Sequence, residues 1–227
     1  NMQEIELSLA FFKKSMYNTF EVNIMSDIRM PTQKRSIEKR NKIIEKGFSL
    51  MCEKGYYNIS TPDIAEAAGV STGIIYQYFN DKKDIFIEGV KNYANSIMFP
   101  MIDVLENENI KIDNIEKVIK ATIDKFVNTH TISKKAHEEL IAMSHLDEDV
   151  SKIFKDSEIN MTDKIVKILE NNNIFLENAK EKIHIIVGII DNFCHEIVYH
   201  KHNEINYEIM QKEVIEIIKN ILKNEPK

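Results

Sequence analysis

Residues 61–83 read TPDIAEAAGVSTGIIYQYFNDKK, a pattern that predicts a short helix, a tight turn at Gly69, a second short helix and the start of a third. Ser60 and Asp63 have capping-box spacing for the first helix, with Pro62 tolerated in its opening turn. Ile64, Ala65 and Ala68 fall on one face, and the alanines let two short helices cross steeply. Gly69 supplies a left-handed residue, Val70 plugs the junction, and Ser71 is the expected cap of the second helix. Ile75 and Phe79, four apart, anchor that helix. Thr72, Gly73, Tyr76 and Gln77 stay off the apolar face, which is the layout of a helix-turn-helix reading double-stranded DNA.

Working outward, Ile37, Ile44, Phe48 and Met51 recur at helical spacing between Thr32 and Lys54, and Gly55 follows as a stop. Lys34, Arg35, Lys39 and Arg40 crowd the start of that helix, either as a solvated basic face or as contacts to phosphates. After the motif, Asn80 or Asp81 caps a helix whose stripe of Ile85, Phe86 and Val90 runs to about Phe99, with Pro100 marking a boundary. Amphipathic helices are then expected near 113–130, 134–146, 148–172, 177–202 and 206–223.

Composition agrees with an all-α chain: 227 residues hold only six Gly and four Pro, too few for turn-rich β architecture. The net charge of −6 is unevenly spread. Residues 31–98 carry ten Lys/Arg against eight Asp/Glu, whereas residues 99–227 carry seventeen against twenty-four. The basic excess therefore accompanies the motif, as phosphate neutralisation requires. Cys52 and Cys194 lie far apart in apolar patterns, which fits a reduced, cytoplasmic protein. No apolar run approaches the ~20 residues needed to cross a bilayer, so no membrane association is expected. Residues 1–30 match the remainder poorly and read as an extension. Asn1 precedes a methionine, and Met25 or Met30 would serve equally as natural starts.

The run from Ser60 to Phe79, followed by Asn80, Asp81 and Lys82, resembles the DNA-binding domain of the TetR (tetracycline-repressor-like) family. The matching elements are I-A-x-x-A-G-V-S, the recognition helix G-x-x-Y-x-x-F, and the lysine just after it. The resemblance covers about residues 33–90. It implies phosphate contacts for Thr61, Tyr76, Tyr78 and Lys82, with Thr72, Gly73 and Gln77 at the major-groove edge; Ser71, Lys34 and Arg35 are counted with them as DNA-binding candidates. Gln77 suits adenine and Thr72 a thymine methyl. Tyr78 stands where many relatives carry histidine, and Thr72 where they carry a polar or basic residue, so the operator sequence stays open.

The resemblance also implies a helix-turn-helix domain at 31–82 and a larger helical ligand-binding and dimerisation domain at 83–227. It implies a homodimer joined through the last two helices, a palindromic operator and a small inducer. The final helix sets Tyr207, Met210, Val214, Ile217 or Ile218, and Ile221 on one stripe, and the one before it sets Ile183, Ile186, Ile190, Cys194 and Ile197 on another; either stripe reads equally as monomer core, and Gly188 would permit close approach. Phe126, His130, Met143, His145 and Ile165 are expected pocket-lining residues for a largely apolar ligand, joined by Asp191 and His195.

The run 195–200, HEIVYH, misses the zinc-protease spacing by one residue, since His195 and His200 are five apart. Asp191, His195, Tyr199 and His202 do share a face, readable as a solvated stripe, a polar pocket wall or a metal site. Neither a metal nor a cofactor is expected. No nucleophile–base pair, phosphate loop or carboxylate constellation appears, so an enzyme is not expected; a helical ligand-binding or adaptor protein is the alternative.

Overall fold

The computed structural model describes residues 33–131 and 134–223, so the expected extension at 1–30 lies outside the described residues. Nine α-helices occur among them: α1 Lys34–Lys54, α2 Thr61–Ala68, α3 Thr72–Ile75, α4 Lys82–Asn107, α5 Ile115–His130, α6 Lys134–Leu146, α7 Glu148–Asn171, α8 Ala179–Val198 and α9 Tyr207–Leu222. The all-α expectation holds, and α5 to α9 fall within a few residues of their expected spans. None of the described helices is long and apolar enough to cross a membrane.

Two compact units divide the chain. Among the described residues, one holds 33–96 together with Lys135–Ile153; the other holds 97–131, Lys134 and 154–223. The division expected between 82 and 83 falls at the first turn of α4. Pro100 was expected to end this helix, yet α4 continues through it to Asn107. Proline removes one backbone donor, but Met101, Ile102 and Leu105 are buried on the turns that follow. Their burial, worth about 1.5–3 kcal/mol each, offsets a proline cost of about 3 kcal/mol.

In the first unit α1 packs on α2, and α2 on α3. The core gathers Ile44, Phe48 and Met51 of α1, Ile64 and Ala68 of α2, Ile75, Phe79, and Ile85, Phe86 and Val90 of α4, each at most 3 % exposed. Ile37, expected on the same stripe, is 40 % exposed. Local chemistry follows the sequence closely at α2. Asp63 N–H donates to Ser60 Oγ at 3.4 Å and Ser60 N–H donates to Asp63 Oδ2 at 2.8 Å. Gly69 closes the helix at φ 66°, ψ 41°. At α4 the cap is Asp81, whose Oδ1 accepts from Asp84 N–H at 3.1 Å.

Gly89 has a role that periodicity does not reveal. A Cβ placed there would meet the Phe48 ring at 2.2 Å, so α4 and α1 approach over a missing side chain. Phe48 in turn lies 5.7 Å from the Phe86 ring.

In the second unit α5, α8 and α9 pack mutually. Ile119, Ile123 and Phe126 of α5 meet Ile183, Ile186, Val187 and Ile190 of α8 and Ile218 of α9 as a buried apolar layer. Asn206 caps α9, accepting from Glu208 and Ile209 amides at 3.1 Å each.

Substituting Gly89→Ala is expected to destabilise the protein by about 1–3 kcal/mol through overpacking. Chemical-denaturation midpoints of Gly89→Ala, Phe48→Leu and the double variant form a cycle. The double variant is expected to lose less than the sum of the two single losses; strict additivity would contradict the contact.

Candidate nucleic-acid interface and ligand cavity

The second helix of the motif is shorter than the sequence suggests. α3 proper spans four residues, and turn hydrogen bonds extend it: Gln77 N–H to Ile74 O at 3.2 Å, Tyr78 N–H to Ile75 O at 2.9 Å and Phe79 N–H to Ile75 O at 3.0 Å. Ser71 occupies the cap position with extended backbone, φ −77° and ψ 152°, but its hydroxyl makes no capping bond. Its carbonyl instead receives Ile74 N–H at 2.9 Å.

One turn of helix is unstable alone, because nucleation fixes several dihedrals for one hydrogen bond. Here Ile75 and Phe79 fix it, being 0 % and 1 % exposed. Arg40 closes the far side of Phe79: its guanidinium sits 5.0 Å from the ring centroid and pairs with Glu88 at 3.0 Å. Of the four basic residues near the start of α1, Arg40 is thus committed to the domain interior, whereas Lys34, Arg35 and Lys39 are exposed.

The motif also has an outward surface. Ser71, Gly73 and Gln77 are exposed, and Tyr76 is 55 % exposed. Thr61, Thr72 and Tyr78 are half-buried, and the Tyr78 ring lies 6.5 Å from that of Phe79. Lys42 belongs to the same surface and was missed. Its Nζ lies 3.6 Å from where a Cβ on Gly69 would be, beside the turn of the motif. Its place is legible in the sequence, since Lys42 lies one turn before Lys46 on α1.

Lys82 has a different occupation from the expected phosphate contact. Its ammonium donates to Tyr56 O at 2.8 Å and Ile59 O at 2.7 Å, and lies 4.5 Å from the Tyr56 ring centroid. It therefore ties the start of α4 to the 3-10 turn Tyr56–Asn58 that precedes α2. The neighbouring Lys83 bridges Asp147 at 2.8 Å and Asp149 at 2.7 Å.

In the second unit, an apolar cavity of about 60 Å³ opens among α4, α5, α7, α8 and α9. Met101, Val118, Ile165, Ile186, Ile190 and Ile218 are among its walls. Of the expected pocket residues, Ile165 lines it. Met143 and His145 belong to the other compact unit; Met143 is core there and His145 is exposed. Phe126 is buried next to His130, ring centroids 4.4 Å apart. His130, Asp191 and His195 gather into a separate polar group, with His130 Nε2 and His195 Nε2 at 3.8 Å and 3.7 Å from Asp191 Oδ1. His202, expected on the same face, lies beyond the end of α8 and pairs with Glu196 at 3.4 Å.

The stripes chosen for dimerisation divide. Ile186, Ile190 and Val214 are 5–7 % exposed and serve the protomer core. Gly188 is exposed, Ile217 is 47 % exposed, and Met210 and Ile221 are half-buried. Ile185 and Ile209, which the stripe reading passed over, are 54 % and 56 % exposed. Because α8 is apolar around most of its circumference, periodicity alone does not tell the inward face from the outward one. Cys52 and Cys194 are both buried, and burial pushes each thiol well above its ordinary range.

Residues 43–88 match the family model described as bacterial regulatory proteins, tetR family. The HTH-type transcriptional regulator HbdR of Aromatoleum sp. (strain CIB) is 49 % identical over 59 residues, 26 % of this chain and 26 % of that protein. The fatty acid metabolism regulator protein of Bacillus subtilis is 26 % identical over 100 residues, 44 % of this chain and 52 % of that protein. The chain thus spans between about a quarter and half the length of these relatives. A solved TetR-family regulator of Mesorhizobium loti aligns over 84 % of this chain and 98 % of its own, with TM-score 0.65 and 18 % identity, which is a likeness of fold.

The Lys82 contacts lead to a stability test in the absence of DNA. Lys82→Met keeps the aliphatic stem and removes the charged donor, so a loss of about 1.5–3 kcal/mol is expected. Urea denaturation followed by circular dichroism checks it. An unchanged midpoint would show that the two carbonyls do not depend on this ammonium.

Proposed function

We propose that this chain, a TetR-family protein in its DNA-binding domain and its fold, is a transcriptional repressor that binds a palindromic operator as a homodimer. The observation that carries the reading is the exposed polar surface of α3, held by Ile75 and Phe79 inside the matched domain. Gln77 is suited to pair with adenine N6 and N7, and Thr72 to meet a thymine methyl, each contact worth about 1–3 kcal/mol of discrimination. Tyr76, Tyr78, Thr61, Ser71 and the Gly73 backbone would face phosphates and groove edge, with Lys34, Arg35 and Lys42 adding charge from α1.

Two such readers must be spaced by a dimer. The exposed apolar residues Ile185, Ile209 and Ile217, with Gly188 between, support a two-fold contact through α8 and α9. An isologous interface uses the same patch on both subunits, residue i meeting j and j meeting i, and a glycine allows the helices near approach. Half-sites about 34 Å apart, or a multiple of it, follow from that symmetry.

The apolar cavity supports an apolar effector, with an aliphatic chain as the favoured class. The name of the Bacillus subtilis relative, a fatty acid metabolism regulator, agrees with that choice. At about 60 Å³ the cavity is far smaller than the ~300–1,000 Å³ of most small-molecule sites. A ligand entering it must therefore spread the surrounding helices. That requirement gives it differential affinity for two protein states, which is what release of DNA by population shift needs. The repressor would act in the cytoplasm.

Tyr76→Ala and Gln77→Ala are expected to leave the thermal midpoint unchanged within about 0.5 kcal/mol, since both side chains are exposed. Each is expected to weaken binding to the protein's own promoter region about tenfold or more in gel-shift titration. Wild-type binding that shows no sequence preference, or no fall with rising salt, would defeat the proposal. Ile217→Glu is expected to yield monomers in analytical ultracentrifugation and to weaken operator binding along with dimerisation. A dimer unchanged by this substitution would place the interface elsewhere.

A further inference from the structure

The polar group in the second unit has chemistry that an apolar effector does not use. His130 ends α5 and is 2 % exposed. Its Nδ1 lies 2.9 Å from Phe126 O. A backbone carbonyl only accepts, so Nδ1 carries the proton of that bond. With Nδ1 so engaged, Nε2 is the ring nitrogen able to offer a lone pair to a cation, and it lies 3.8 Å from Asp191 Oδ1. His195 Nε2 faces the same oxygen at 3.7 Å. Three donor atoms from two helices, all within 4.8 Å of one another, thus converge on one point.

The rings are also fixed in direction. The His130 and His195 centroids lie 5.3 Å apart, Phe126 stacks edge-on against His130 at 4.4 Å, and Tyr199 lies 5.6 Å from His195. Tyr199 Oη donates to His130 O at 2.8 Å, pinning the end of α5 to α8. The bond from Nδ1 to a carbonyl is the outer-shell contact that sets tautomer and ring orientation in metal-bound histidines.

We propose that His130 Nε2, Asp191 Oδ1 and His195 Nε2 bind one divalent transition-metal ion of the zinc class. Two imidazoles and one carboxylate are the donor set such ions prefer, with a fourth position left to solvent or to another ligand. Bonds of about 2.0–2.2 Å in tetrahedral geometry set donor–donor separations of about 3.4 Å. The two distances to Asp191 therefore need to close by only a few tenths of an ångström. The ion fastens the end of α5 to α8. Sequence spacing along α8 alone does not give this site, because its buried ligand stands on another helix.

Co(II) and Zn(II) are the probes, used on the full chain after removal of metal with a chelator. Co(II) is expected to bind one ion per chain with visible ligand-field bands, and Zn(II) to displace it and raise the thermal midpoint. Asp191→Asn and His195→Gln replace partly exposed side chains, so the fold should survive; circular dichroism checks that. Each is expected to weaken Zn(II) binding at least about 100-fold, whereas His202→Gln is expected to leave it unchanged. Absence of saturable binding would overturn the site. Retention of one ion by the Asp191→Asn, His195→Gln double variant, or its loss on His202→Gln, would do so equally. DNA plays no part in these readouts, so they stand apart from operator binding.

Discussion

A single turn of helix cannot hold itself in water, and the first unit exists around that constraint. α3 has four residues in regular helical conformation, far below the ~12–15 at which isolated helices become even marginal. Its direction comes from two side chains, Ile75 and Phe79, sunk into a core shared by α1, α2 and α4. Everything around that anchorage keeps it from rotating. Gly69 lets the chain turn without a steric penalty, the reciprocal Ser60–Asp63 cap starts α2, and Arg40 lies over the outer face of Phe79 while paired with Glu88. Burial thus fixes the backbone that carries the exposed side chains of α3.

The same logic explains why some basic residues are engaged by the scaffold. A lysine or arginine near a helix-turn-helix has two uses, and packing decides between them. Arg40 and Lys82 serve the scaffold, one against an aromatic ring and a carboxylate, the other across two backbone carbonyls. Lys34, Arg35, Lys39 and Lys42 stay at the surface. The modest basic excess of this segment is thus divided between cohesion and display.

The second unit combines two unlike environments. α8 presents Ile186 and Ile190 to an apolar cavity, and Asp191 and His195 to a polar group closed by His130. Both arise because α8 is buried on more than one side, leaving a third side with Ile185 and Gly188 at the surface.

Much of the fold was legible because short-range chemistry wrote it. The capping box, the left-handed glycine, the i to i+4 anchors and the amphipathic runs each depend on residues within one or two turns, and these signals gave the motif and helices α5 to α9. They failed where a distant partner had the deciding vote. Pro100 did not stop α4, since the residues after it are buried. Gly89 gave no sign of its role, since the ring it admits is 41 positions earlier in the chain. The dimer stripes split between core and surface, because an all-round apolar helix carries no mark of its outward face. His130, Asp191 and His195 met only in three dimensions. By itself the sequence determined the helix-turn-helix, the all-α class and the side chains α3 can offer, since those follow from local backbone energetics and periodicity. Tertiary structure alone decided which cations hold the scaffold, which apolar face remains at the surface, and which donors converge, since burial and long-range contact are properties of the assembled chain.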